Sequence, residues 1–356
     1  MGISCKIHLK KSREGIHRAG EPINGILSYA IDEPTEYQTA VLSFVGTAKC
    51  FWREYDLVRK SSYTYSGNDE FLSLHTNIIK KQPEQTITLD VGTYEFPFEF
   101  LLPAEIPSSF QDEYSGIEYH VKVKFMKPSF FSLTKKFERE VTVYGNVNPV
   151  TGSESRTYEL QKKLFKWFSS IEPIIYLKAR IAKSFLTPGE NALVDMAVAN
   201  ETDTDISNIT TELSCRTTYT GKRFFSIKAK VVDETIKGCA SITPSIPAYK
   251  TVKYSCIVPT LPHLYSIQHS KIISKEYFIT VIMNLPFPHI MATCTIPIVI
   301  GEGRGGDCLR IVELEEDLES YEVLEQSADE FDEPPSYWEV MNEDKSQDEG
   351  RSTSKH

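Results

Sequence analysis

The chain has 356 residues, enough for two domains whose cores need no metal or disulfide staple. Hydrophobic residues make up 40% and aromatic residues 11%, which excludes wholesale disorder. The formal net charge of −10 is uneven: residues 301–356 carry 18 acids and 5 bases, against 31 acids and 34 bases in residues 1–300. An acidic tail repels phosphate, which argues against nucleic acid as a partner.

The opening MGISCKIHLK lacks the apolar core of a signal peptide, and its SCKIHL reads as a first strand. Further strand signals follow in ILSYAI, AVLSFVG, TITL, YEFPFEFLL, YHVKVKF and REVTVY. They continue in IIYLKARIA, ALVDMAVAN, SIKAKVV, TVKYSCIV, YFITVIM and TIPIVI. These runs are short, β-branched or aromatic, and separated by turn residues. No long stripe of helical period interrupts them within the body. The expected fold class is all-β, built from sandwiches. Residues Tyr277 to Ile300 lack charge and are long enough for a bilayer span. Pro286, Pro288 and Pro297 break any single helix there, so two buried strands joined at NLPFPH are expected.

The order of signals repeats. Gly20-Glu21 is echoed by Gly189-Glu190, Leu102-Pro103 by Val258-Pro259, and Glu118-Tyr119 by Glu276-Tyr277. The offsets are 169, 156 and 158 residues, which points to two copies of one topology. The expected division is a first sandwich over 1–147, a hinge over 148–171, a second sandwich over 172–300 and an acidic tail over 301–356. Gly301, Gly303 and Gly306 fit a nucleotide-binding glycine pattern, but no βαβ unit surrounds them, and a flexible linker is expected.

The seven cysteines form no metal-ligand spacing, which suits a reduced cytosolic chain. No nucleophile elbow, zinc-protease motif or phosphate loop occurs, so neither an enzyme nor a cofactor is expected. Cys239, in a lysine-containing KGCAS stretch read as a loop, is either a reactive thiol or a buried inert one. Lys162, Lys163, Phe165, Lys166 and Trp167 form either a basic-aromatic patch for an anionic membrane or a hinge strand with its lysines in water.

The sharpest motif is Glu333-Pro334-Pro335-Ser336-Tyr337. Two prolines favour a polyproline II segment with three residues per turn, which puts Pro334 and Tyr337 on one side. WW domains accept such a segment in an aromatic groove at low entropy cost. Pro334 and Pro335 supply the rings, and Tyr337 fills a second pocket with its hydroxyl as a polar handle. Tyr321-Glu322-Val323-Leu324 also fits the tyrosine-based sorting signal read by clathrin adaptors, with Tyr321 and Leu324 as its anchors.

In order and spacing the chain resembles the α-arrestins, the arrestin-domain-containing family. Gly20-Glu21-Pro22-Ile23-Asn24-Gly25, FVGTAKCFW (44–52) and FPFEFLLPAEIPSSF (96–110) carry the resemblance in the first half. TPGENALVDMAVANET (187–202), KEYFITVIMNLP (275–286) and IPIVIG (296–301) carry it in the second. The resemblance implies two arrestin-like β-sandwiches and an adaptor that is not an enzyme. It further implies that PPSY recruits a WW-domain HECT-type ubiquitin ligase to membrane receptors or transporters. Their ubiquitination, endocytosis and endosomal sorting would follow. The implied location is cytoplasmic, peripherally at the plasma membrane and endosomes. Many family members carry two or more PPxY motifs, whereas this chain has one. An arrestin-fold sorting scaffold that works without a ligase and a redox-responsive binding protein acting through Cys239 are the alternatives.

Overall fold

Strand-forming alternation runs through nearly the whole body, and it folds into β-structure throughout. The computed structural model describes residues 3–10, 15–79, 87–128, 134–149, 155–164 and 173–303, which fall within one compact unit, Met1–Asp307. The first half contains β1 (Ile3–Leu9), β2 (His17–Arg18), β3 (Pro22–Ile31), β4 (Thr35–Tyr37), β5 (Thr39–Asp56) and β6 (Ser61–Ile79). It continues with β7 (Ile87–Leu89), β8 (Gly92–Leu101), β9 (Phe110–Gln111), β10 (Ser115–Met126), β11 (Lys135–Val141) and β12 (Val143–Tyr144). The second half contains β13 (Arg156–Lys163), β14 (Ile174–Ile181), β15 (Phe185–Leu186), β16 (Ala192–Asn200) and β17 (Asn208–Arg223). It ends with β18 (Ser226–Ile242), β19 (Thr251–Val258), β20 (Ile273–Asn284) and β21 (Ala292–Ile300).

Each half is a sandwich with its own core. In the first, the β1-β3-β8 sheet packs on the β11-β10-β5-β6 portion of a larger sheet. Alternation sets which face is buried: Ile117, Tyr119, Val121, Val123 and Phe125 of β10 point inward at every second residue. In the second, the β13-β14-β16-β19 sheet packs on β18-β17-β20-β21. The charge-free stretch from Tyr277 is indeed the antiparallel pair β20–β21, with Phe278 opposite Pro297. Among the described residues no helix is long and apolar enough to cross a membrane.

The internal repeat extends to individual hydrogen bonds. In the first sandwich the early strand β2 pairs in parallel with the last, β12; in the second, β15 does the same with β21. A serine clamps each last strand. Val143 N–H donates to Ser109 Oγ at 3.0 Å while Ser109 N–H donates to Val143 O at 2.7 Å. Ile300 N–H donates to Ser266 Oγ at 3.0 Å while Ser266 N–H donates to Ile300 O at 2.8 Å. Gly20 and Gly189 hold matching left-handed conformations, with φ of 84° and 87°, which only glycine adopts freely.

Two expected boundaries shift. The segment 148–171, expected as a hinge, contains β13, which pairs with β14 along its length, and Leu164, which is buried in the second core. Its charged alternation, RTYELQKK, hides a half-exposed edge strand. Gly301, expected to open a flexible linker, is packed instead. Its N–H donates to Leu186 O at 2.9 Å, and a Cβ there would lie 2.3 Å from Val147 Cγ2.

Ser266→Ala leaves the buried Ile300 N–H without its side-chain acceptor. We expect a loss of about 1–2 kcal/mol of stability, read by urea denaturation, and a similar loss for Ser109→Ala in the first sandwich.

Candidate functional site

The two sandwiches meet where two long hairpins cross. Strands β5 and β6 form one, β17 and β18 the other, and a single register contact, Lys222 opposite Ser66, joins them into a continuous ten-stranded sheet. Close approach requires glycine on both sides. A Cβ on Gly221 would lie 2.6 Å from Trp52 Cη2, and one on Gly67 would lie 2.7 Å from Thr220 O. Trp52 is buried, stacks on Tyr65 at 5.4 Å and donates its indole N–H to Glu54 Oε1 at 3.1 Å. With Cys50 and Tyr219 it forms a small third core at the crossing.

Polar contacts fix the angle of the seam. Tyr219 donates its hydroxyl to Asp112 Oδ2 at 2.5 Å, and burial together with that carboxylate holds its pKa well above the ordinary phenol range. Lys228 pairs with Glu54, and this hydrogen bond holds the Glu54 carboxyl below its usual range. Further along the seam, Arg18 grips Glu302 through two contacts of 3.0 Å. Tyr144 packs on Tyr265 at 4.5 Å, and Asn148 and Gln268 exchange two hydrogen bonds.

The crossing hairpins end in exposed turns. Asp56 Oδ1 accepts from the N–H groups of Val58 and Arg59, which shapes the Leu57–Lys60 turn. Phe224 and Phe225 form the two-residue turn between β17 and β18, where Arg223 faces Ser226. Arg223 stacks on Tyr63 at 3.7 Å, which ties this turn to the base of the other. Sequence reasoning missed this end of the body. The run GKRFFSIKAK contains the aromatic pair in plain view, but no glycine, asparagine or proline follows Arg223 to mark a turn.

The residues singled out from sequence fall elsewhere. Pro334, Pro335, Tyr337, Tyr321, Leu324, Phe165, Lys166 and Trp167 lie outside the described residues. Lys162 is half-buried and Lys163 exposed on the edge strand β13, followed by the buried Leu164, so the described part is a strand entering the second core. Cys239 lies inside β18 and not in a loop. Glu212 faces Ala240 and Ser214 faces Thr235, so residues 236–239 bulge opposite Leu213 alone. The bulge, helped by Gly238 at φ 81°, turns Cys239 into the second core, where it is 0% exposed. Burial pushes its thiol pKa up, the opposite of what a reactive thiolate needs. No group of three or more His, Cys, Asp or Glu among the described residues is placed to hold a metal.

Comparison with known proteins settles the family. The family model for the arrestin (or S-antigen) N-terminal domain matches residues 5–149, and that for the C-terminal domain matches residues 173–303. The chain belongs to the arrestin-domain-containing family, the α-arrestins. It is 25% identical to arrestin domain-containing protein 17 of Caenorhabditis elegans over 312 residues, covering 81% of this chain and 68% of that protein. It is 24% identical to human arrestin domain-containing protein 4, covering 84% of this chain and 71% of the relative. Against bovine arrestin domain-containing protein 5 the identity is 23%, covering 84% and 92%. The two matched spans cover the two sandwiches apart from β13 and Leu164, and the family supports an adaptor role that works by binding partner proteins.

Two outcomes test this α-arrestin body. Trp52→Ala empties the third core and should cost about 3–5 kcal/mol of stability, measured by chemical denaturation. Cys239 should resist iodoacetamide in the folded protein at pH 8 and react only after unfolding, as mass spectrometry of the labelled peptide would report.

Proposed function

We propose that this α-arrestin is a trafficking adaptor and not an enzyme. It brings a WW-domain HECT-type ubiquitin ligase to membrane receptors or transporters through Pro334, Pro335 and Tyr337. Ubiquitination of that cargo then directs its endocytosis and endosomal sorting. The protein works in the cytoplasm, peripherally at the plasma membrane and endosomes.

The observation that carries this reading is the pairing of an arrestin body with a single Pro-Pro-Ser-Tyr in the acidic sequence beyond it. The two parts have separable tasks. A body of two sandwiches locked by a buried tryptophan and a bidentate ion pair offers a fixed surface to cargo. The sequence after Gly303 joins a ligase to that surface, and about 30 residues of spacer convert ligase encounter into an effectively intramolecular step. Phosphate on Ser336 would add charge within the motif and weaken a groove built for uncharged rings.

The test is a fluorescence-anisotropy titration of a labelled peptide covering residues 329–343 against WW domains. Micromolar binding is expected, with a loss of at least tenfold for the Tyr337→Ala peptide. Equal binding by both peptides, or none by any domain of a broad panel, overturns the ligase arm and leaves a sorting scaffold built from the sandwiches alone.

A further inference from the structure

The most exposed large apolar side chains at the sandwich junction sit in pairs on the two hairpin turns. Leu57 and Val58 are 81% and 92% exposed; Phe224 is 89% exposed and Phe225 fully so. Solvated apolar residues are ordinary one at a time, whereas pairs of them on neighbouring turns mark a contact surface. The backbone points the same way. Phe224 has a φ of 49°, a left-handed conformation that bulky residues disfavour. Two-residue hairpin turns usually place asparagine or glycine there. A phenylalanine held against local preference, with its ring largely in water and Arg223 5.5 Å from it, buries little in the fold.

Cations surround these turns. Arg53, Lys60, Lys222 and Arg223 lie on the same two hairpins, beyond the Asp56–Arg59 and Glu54–Lys228 pairs that neutralise each other. Residues 221–232 contain Lys222, Arg223, Lys228 and Lys230 and no acid. Both hairpins are long and cross at the Trp52 core, so presenting the tips requires little further ordering of the chain.

We propose that this end of the body docks on the surface of an anionic bilayer. Phe224, Phe225, Leu57 and Val58 enter the headgroup boundary while the flanking Lys and Arg side chains meet acidic lipid headgroups. Aromatic rings favour that boundary because it is apolar on one side and wet on the other. The basic residues add an attraction that fades with salt over about 8 Å at physiological ionic strength. This goes beyond the ligase arm: it supplies the membrane end of the adaptor, from residues distinct from Lys162 and Lys163.

The experiment is co-sedimentation of the full chain with vesicles of phosphatidylcholine containing 30% phosphatidylserine. Binding is expected at physiological salt, at least tenfold weaker to pure phosphatidylcholine and weaker again at high salt. The variant Phe224→Gly with Phe225→Ser should lose at least tenfold in vesicle affinity while its unfolding midpoint does not fall, because glycine relieves the left-handed residue. Leu57→Ser with Val58→Ser should weaken binding in the same direction. Lys253→Gln on the exposed face of β19, and Tyr337→Ala, should bind vesicles as the native chain does. Absence of binding to the acidic vesicles overturns the proposal. So does equal binding by the native and Phe224/Phe225 proteins, whatever effect those residues have on capture of a cytosolic peptide.

Discussion

Everything distinctive about this body depends on one close approach, where the backbone at Gly221 lies against the ring of Trp52 and the backbone at Gly67 lies against Thr220. A side chain at either glycine would push the hairpins apart, and the single contact of Ser66 with Lys222 would go with it. That contact merges two sheets into one and sets where the hairpin turns emerge. The Tyr219–Asp112 hydrogen bond and the Lys228–Glu54 pair then fix the angle. The exposed ion pair adds little by itself, since charges in water are screened. The buried indole and the shortage of space beside it hold the junction.

The second organising feature is duplication. Each sandwich closes by threading an early strand alongside its last one in parallel, and each fastens the last strand with a serine that both donates and accepts. Main-chain groups at the strap are buried and must be satisfied, and the serine hydroxyl supplies an acceptor without widening the gap. The result is a scaffold with two similar cores. The family to which it belongs supports an adaptor role that works by binding partner proteins.

The sequence was informative where alternation or order was strong. The run YHVKVKF announced β10, the charge-free stretch with its three prolines announced β20 and β21, and the offsets of 156 to 169 residues announced the duplication. Other features depend on contacts that sequence does not encode locally. β13 was hidden because half its residues are charged, as suits an edge strand with one wet face. Cys239 looked like part of a loop because its glycine neighbour marks a bulge within a long strand. Gly301 looked like linker because its reason for being glycine, the methyl group of Val147, lies more than 150 residues away. The Phe224–Phe225 turn is not legible because it lacks the glycine or asparagine that marks a two-residue hairpin turn.

We propose that the arrestin body and the Pro-Pro-Ser-Tyr motif act as one adaptor on membrane cargo. The most direct measurement compares ubiquitin-remnant profiles of membrane proteins in cells expressing the native chain or Tyr337→Ala at equal levels. A set of membrane proteins is expected whose remnant signal rises with the native chain and returns to background with Tyr337→Ala. Identical profiles for the two proteins would contradict it.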